Sequence, residues 1–231
     1  MMALAYQPYI CGYCNKGFTQ EKTLFVHICE QKRRALARTE RHVVLGYDTF
    51  CRFFKRAQPQ NKQEKTYEDF CKSSYYNAFV KFGSFVSNVN PLYPERFINW
   101  VVVSGVKLDH WCRDELYEQY VFELIKSETV ETALQRSIET MMSWADTHNA
   151  LWNHYFLYAS PNRAVWHIKD GKISPWLMLN CKSGKEMLGN FNDEQLGMIY
   201  NIVDPKHWGV RFKRQTSDVQ LVKDVVKESK L

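Results

Sequence analysis

Long apolar runs are missing from this chain of 231 residues. The longest, such as FINWVVVSGV at 97–106, fall well short of the roughly 18 to 20 residues that span a bilayer. The N-terminal stretch MMALAYQPYI also lacks the basic flank and apolar core of a secretory signal. From these absences we expect an intracellular protein with no membrane partner.

A disulfide framework is also missing. The seven cysteines are an odd number, and four of them stand singly among apolar and aromatic neighbours: Cys51, Cys71, Cys112 and Cys181. This pattern is typical of reduced thiols in a core rather than of paired cysteines. Only Cys11, Cys14 and Cys29 cluster in the sequence.

Neither glycine nor proline occurs between Glu21 and Leu45, so helix is expected through that segment. The composition, 45% hydrophobic and 15% aromatic, is enough for one sizeable core and a small satellite module. Amphipathic spacing predicts further helices at about 67–87, 94–103, 109–126, 129–147, 150–159, 192–203, 205–213 and 217–229.

One β-hairpin is predicted near 164–180, where two β-prone runs flank Asp170-Gly171. The polar stretch QPQNKQEKT at 58–66 reads as a linker. We therefore expect a mainly α protein with three parts: a ββα zinc finger at 1–31, a basic helix and linker at 32–66, and a multi-helix domain with the hairpin at 67–231.

The N-terminal segment carries metal-ligand spacing. Cys11, Cys14 and His27 follow the pattern C-x2-C-x12-H, in which two thiolates share a tight turn and a helix returns the histidine to them. Tyr9, Phe18 and Leu24 occupy the apolar positions that would form a small core around such a site. Over residues 8–31 the chain closely resembles the C2H2 and C2HC zinc fingers, which implies a ββα unit that holds Zn²⁺.

The fourth ligand departs from that family, because Gln31 stands where a histidine or cysteine is expected. Cys29 is the nearest candidate, but residues two apart point about 200° from each other on a helix. Cys29 can therefore join the site only if the backbone breaks near Ile28. A more distant group such as His42, or an open site, is the alternative.

The excess positive charge is local. Residues 16–56 hold ten Lys or Arg and four acidic residues, a net +6, while the rest of the chain has 21 of each sign. Such a basic segment is typical of nucleic-acid binding, although a solvated helix face explains the same numbers. Lys32, Arg33, Arg34, Arg38 and Arg41 are the candidate contacts to phosphates of DNA or RNA.

Within the finger, the resemblance places the base-reading positions at Gln20, Thr23 and Val26, and only glutamine is a discriminating base reader. Weakly sequence-specific binding is therefore the leading hypothesis. The rival is a zinc-stabilised adaptor that docks a protein through Phe25 and Val26 or through the helical domain.

No catalytic residues are predicted. The LDHWCRDE stretch at 108–115 is interpreted as ordinary surface pairing on a helix, and a nuclease in the main domain is a third hypothesis. Residues 173–214, with ISPWLMLNCKSGKEML and DEQLGMIYNIVDPKHWGVRFKR, resemble uncharacterised proteins of tailed bacteriophages. That resemblance implies a protein working in the cytoplasm of an infected bacterium.

Overall fold

Helices dominate the computed structural model, which describes residues 9–60 and 63–231. The strands found in these residues are β1 (Tyr9–Ile10) and β2 (Gly17–Phe18), which form an antiparallel pair before the first helix. The prediction of a mainly α protein that begins with a ββα unit is confirmed. The chain divides into two compact units, Met1–Cys112 and Arg113–Leu231, and the predicted boundaries near 31 and 66 stay predictions.

The first unit contains the strand pair and six helices within its described residues. The helices are α1 (Glu21–Val26), α2 (Glu30–Leu36), α3 (Arg41–Ala57), α4 (Tyr67–Lys72), α5 (Tyr76–Val89) and α6 (Pro94–Val103). The structure therefore interrupts the predicted helix at 21–45 twice and the predicted helix at 67–87 once. Helix α6 has the predicted bounds, with its proline in the first turn, where no amide hydrogen is needed.

Helices α3 and α5 form the core of the first unit. They approach closely at Gly46 and Gly83, where an added Cβ atom would lie 2.8 Å from Phe79 O and 2.0 Å from His42 O. The rings of Phe79 and Phe82 are fully buried and contact Trp111 at centroid distances of 5.9 and 5.2 Å. The aromatic side chains Phe79 and Phe82 of α5 are therefore part of the core.

The second unit is wholly helical within the described residues. Its helices are α7 (Asp114–Ser127), α8 (Val130–His148), α9 (Tyr155–Tyr158), α10 (Pro161–Lys169), α11 (Pro175–Met178), α12 (Lys182–Gly189), α13 (Asp193–Val203), α14 (Pro205–Arg214) and α15 (Thr216–Ser229). The stretch at 108–115 is not one helix, because a 3-10 turn at Leu108–His110 precedes α7. The surface pairing that we predicted on a helix there is therefore wrong.

The predicted β-hairpin near 164–180 is also wrong, because α10 and α11 occupy these residues. The Ser160 hydroxyl accepts from the Arg163 amide, and Pro161 starts α10. Gly171 has a left-handed φ of 74°, which ends a helix as readily as it turns a hairpin. The β-branched residues Val165 and Ile168 lie on the buried face of α10 rather than in strands.

A buried ion pair anchors the loop that contains Gly171. Arg136 donates to Glu128 Oε1 at 2.8 Å and to the Gly171 carbonyl at 2.7 Å, and the Ser174 hydroxyl donates to Glu128 Oε1 at 3.2 Å. Both charged side chains are almost completely buried. Because each charge has partners, the cost of removing it from water is offset.

Across the described parts of the chain, every helix is too short or too polar to cross a membrane.

Candidate metal centre

The strand pair positions two cysteines in a tight turn. Tyr9 lies opposite Phe18 and Ile10 opposite Gly17, so the turn between the strands contains both Cys11 and Cys14. The Cys11 amide donates to the Lys16 carbonyl at 2.9 Å, and the Asn15 amide donates to the Cys11 carbonyl at 2.9 Å. Asn15 takes the left-handed conformation that such a turn requires, which asparagine tolerates better than most residues.

Helix α1 returns His27 to this turn and then stops. His27 is the C-terminal cap of α1, with φ −69° and ψ 122°, and Cys29 is extended at the start of α2, with φ −92° and ψ 167°. The His27 ring contacts the Phe18 ring at 4.8 Å between centroids. The break predicted near Ile28 is therefore present, and it releases Cys29 from the helical geometry that would turn it away.

Four potential ligand atoms converge at this point. Cys14 Sγ lies 3.3 Å from His27 Nε2, Cys11 Sγ lies 4.0 Å from Cys29 Sγ, and all four ligand atoms lie within 4.8 Å of one another. Among the described residues, this is the group of His, Cys, Asp and Glu side chains placed to hold a metal ion. His42 is not a member, and its Nε2 lies 3.3 Å from Glu40 instead.

The donor set suits zinc. Bond lengths of about 2.3 Å to sulfur and 2.0 Å to nitrogen in a tetrahedron place two sulfurs about 3.8 Å apart and a sulfur about 3.5 Å from a nitrogen. The 4.0 and 3.3 Å separations are close to these values. Three cysteines and one histidine form a closed structural set, which leaves no position for a reacting water. Such a set is typical of zinc sites that stabilise a fold.

Backbone amides lower the pKa values of the cysteine thiols, and burial opposes them. The amides of Cys14 and Tyr13 lower the pKa of Cys11 to about 7, against the opposing effect of burial. At Cys14 the Lys16 amide lowers the pKa, but burial and the neighbouring thiols Cys11 and Cys29 raise it more, so the net shift is upward. The Lys32 amide donates to Cys29 Sγ at 3.4 Å. Amide donors therefore surround the sulfurs, as thiolates bound to a cation require.

The predicted base-reading residues lie on an exposed surface. Gln20 precedes α1 and makes no capping hydrogen bond, and Thr23 lies one turn into the helix. Phe25 and Val26 are 83% and 66% exposed, and Ile28 in the break is 72% exposed. The outer face of α1 is therefore more apolar than a surface that reads bases.

The predicted phosphate contacts separate into two groups. Arg34 is largely buried at the side chain: it donates to the Cys71 and Ser73 carbonyls at 2.8 and 3.3 Å and lies over the Tyr76 ring at 4.4 Å. Arg34 therefore provides hydrogen-bond donors for backbone carbonyls at the end of α4, and its charged group stabilises the fold. This partner set joins residues about 40 positions apart, and no local sequence signal indicated it.

The other four cations lie at or near the surface. Lys32 Nζ lies 3.4 Å from the His27 carbonyl, and Arg33 pairs with Glu30 while remaining 70% exposed. Arg38 is exposed and lies 5.3 Å from the Tyr67 ring centroid, and Arg41 is exposed at the start of α3. These residues keep a basic surface directly after the cysteine cluster.

Comparisons with family models, with characterised proteins and with solved structures found no match to this chain. The likeness to a zinc finger therefore rests on the local ββα unit and on the cluster of Cys11, Cys14, His27 and Cys29.

Proposed function

We propose that Cys11, Cys14, His27 and Cys29 bind one structural Zn²⁺. The observation that carries this proposal is the convergence of the four ligand atoms within 4.8 Å, across a break in an otherwise helical segment. Metal coordination contributes on the order of 10 kcal/mol in small modules, which is enough to stabilise such a break.

We further propose that the zinc module and the basic segment after it bind nucleic acid through the phosphate backbone, with weak sequence specificity. The local net charge of +6 and the accessible positions of Arg33, Arg38 and Arg41 support this function. Weak specificity follows because one finger covers about three base pairs and the exposed side chains at the end of α1, Phe25 and Val26, are apolar.

The test is a binding titration of the full chain against a short DNA duplex and its RNA counterpart at several salt concentrations. The variant Arg33→Gln/Arg38→Gln/Arg41→Gln removes three charges and spares Arg34, whose loss would disturb α4. We expect weaker binding to every sequence and a salt slope reduced by up to about 2.7, since each lost phosphate contact removes about 0.9.

The matched control is Lys182→Gln/Lys223→Gln/Lys227→Gln, which removes the same charge from exposed positions of α12 and α15. It should keep most of the affinity of the parent. If the arginine variant binds with the affinity and salt slope of the parent, the basic segment has no role in nucleic-acid binding.

A second candidate function is protein docking through the finger. The observation that favours it is the exposure of Phe25 and Val26 at the end of α1 and of Ile28 in the break that follows it. A pull-down with nuclease treatment separates the two candidates, using Phe25→Ser/Val26→Ser and, as control, Leu157→Ser/Tyr158→Ser in α9. Partners that survive nuclease and are lost only from the finger variant support docking; partners lost on nuclease treatment support nucleic-acid binding.

The proposed setting is the reducing cytoplasm of a phage-infected bacterium. The resemblance of residues 173–214 to phage proteins supports it, and the unpaired cysteines are consistent with it. No role as an enzyme is proposed.

A further inference from the structure

A second basic site lies in the second unit, far along the chain from the finger. An open cavity of about 550 Å³ is lined by residues from the end of α7 and from α14 and its C-terminal cap. The lining residues that matter here are Lys126, Lys206, His207, Arg211, Arg214 and Gln215.

The charged residues that line this cavity are all positive. Four lining residues are Lys or Arg, and no carboxylate lines the cavity. Helix α14, with the sequence PKHWGVRFKR, contains no acidic residue. Within the described residues no ion pair involves any of the four cations, whereas Arg33 and Arg136 are both paired. The cations that line the cavity therefore have no ion-pair partner among the described residues.

Helix stability does not explain all of these cations. Arg211 and Arg214 lie in the last turn of α14, where the helix dipole favours a positive charge. Lys206 lies in the first turn of the same helix, where the dipole disfavours one. Lys126 lies in the last turn of α7, which also favours a positive charge, so Lys206 is the lining cation that helix stability leaves unexplained.

Hydrogen bonds hold the Arg211 side chain in place at the edge of the cavity. It donates to the Lys126 and Glu128 carbonyls at 2.8 Å each and to Gln215 Oε1 at 2.7 Å. Its guanidinium also lies over the buried Trp176 ring at 5.0 Å. Because most of its donors are used, Arg211 supplies fixed charge. Lys126 Nζ lies 3.8 Å from the Phe122 ring centroid, and among the described residues no hydrogen bond occupies Lys206 Nζ or the Arg214 guanidinium.

His207 adds a neutral polar group. Its Nε2 atom is buried, and no described residue hydrogen-bonds to it. Burial, Lys126 and Arg211 lower its pKa, and Asp204 opposes them only in part. The lowered pKa favours the neutral ring, which carries one N–H donor.

We propose that this cavity binds a phosphoryl group, carried by a nucleic-acid backbone or by a small phosphate compound. Phosphate combines high negative charge with several acceptor oxygens, which matches a set of separate cationic donors better than a single carboxylate does. The site shares no residue with the zinc module or the basic segment. It therefore stands or fails independently of the proposed function.

The experiment follows the imidazole signal of His207 by NMR in the full chain, assigned with His207→Gln. One arm titrates inorganic pyrophosphate against sodium chloride of equal ionic strength, and a second arm titrates a short single-stranded oligothymidylate. We expect a saturable shift of the His207 signal that chloride does not produce. A shift with pyrophosphate identifies a small-phosphate site, and a shift with the oligonucleotide alone identifies a backbone site.

The variant Lys206→Gln/Arg214→Gln should weaken this binding about tenfold or more, because two charged donors are lost. The control Lys213→Gln/Lys223→Gln removes the same charge without touching the cavity lining and should bind as the parent does. Unchanged thermal unfolding shows that each variant is folded. No saturable shift in either arm, or equal binding by the lining variant, overturns the proposal.

Discussion

The finger and helix α8 achieve order in different ways. Helices α1 and α2 are six and seven residues long, and neither contains a fully buried residue. Helix α8 is 19 residues long and buries eight of them, including Met141 and Trp144. Isolated helices of six or seven residues are unstable in water, so we expect the finger to depend on a metal held by its ligand cluster, whereas α8 is stabilised by burial. Metal removal and core substitutions should therefore affect different parts of the chain.

Zinc removal is the change with the largest expected effect. Because the metal contributes on the order of 10 kcal/mol to such modules, chelation should unfold the region from Tyr9 to Val26. Amide hydrogen exchange of the full chain, with and without chelator, measures this directly. Protection should fall in β1, β2 and α1 and stay unchanged in α8. Unchanged protection in α1 would mean that the finger does not need a metal.

The buried Glu128–Arg136 pair tests how far buried side chains stabilise the second unit. Glu128→Ala leaves Arg136 buried without its carboxylate, which typically costs about 3 to 5 kcal/mol of unfolding free energy. Denaturant unfolding of the second unit measures the loss, with Glu118→Ala, at an exposed ion pair, as the control that should change little. Zinc affinity should not change. Equal stability of the two variants would contradict the structural role assigned to Glu128.

Gly83 tests the close packing of α3 against α5 in the first unit. A Cβ atom at this position would lie 2.0 Å from the His42 carbonyl, so Gly83→Ala must push α3 and α5 apart. We expect a loss of about 1 to 3 kcal/mol in stability and retained zinc binding. Gly197→Ala in α13, where nothing lies within 4 Å of the added atom, should be neutral or stabilising. Similar stability of the two variants would argue against the close approach of α3 and α5.

A smaller, pH-dependent effect is expected at His167. Burial, with help from Lys172 and Arg163, lowers its pKa to about 4, while its Nδ1 shares a 2.7 Å hydrogen bond with the Tyr155 hydroxyl. Between about pH 6.5 and 4 the unfolded chain binds a proton that the folded chain does not, so stability falls as the pH falls.

Because His167 is partly exposed, we expect a contribution of about 1 to 2 kcal/mol across that window. Denaturant unfolding of the parent and of His167→Gln at several pH values measures it. The variant should lose less stability than the parent between pH 7 and 4.5. Parallel pH profiles would show that His167 titrates alike in both states.

The sequence predicted the parts of the fold that local patterns decide. The spacing of Cys11, Cys14 and His27 indicated the site, and the conflict between a helix and a cysteine two residues after His27 indicated the break at Ile28. The residues that mark helix ends were less informative about secondary structure. Asp170-Gly171 suits a hairpin and a helix end equally well, and burial of Val165 and Ile168 in a helix decided between them.

Arg34 shows why the rest could not be predicted. In the sequence it is one cation in a basic run, but its partners at Cys71, Ser73 and Tyr76 become neighbours only after α2 and α4 pack together. The cations around Lys206 are a similar case, because Lys126 joins them only in the folded unit. Local spacing cannot separate a cation that serves the fold from one that is free to bind a ligand.

Zinc binding by Cys29→Ser tests whether Cys29 is the fourth ligand. Native mass spectrometry and competition with a chelator should show one zinc per parent chain. Cys29→Ser should bind zinc about a hundredfold more weakly or worse, while Cys51→Ser, at a cysteine outside the cluster, should match the parent. Parent-like zinc affinity in Cys29→Ser would show that Cys29 is not a zinc ligand.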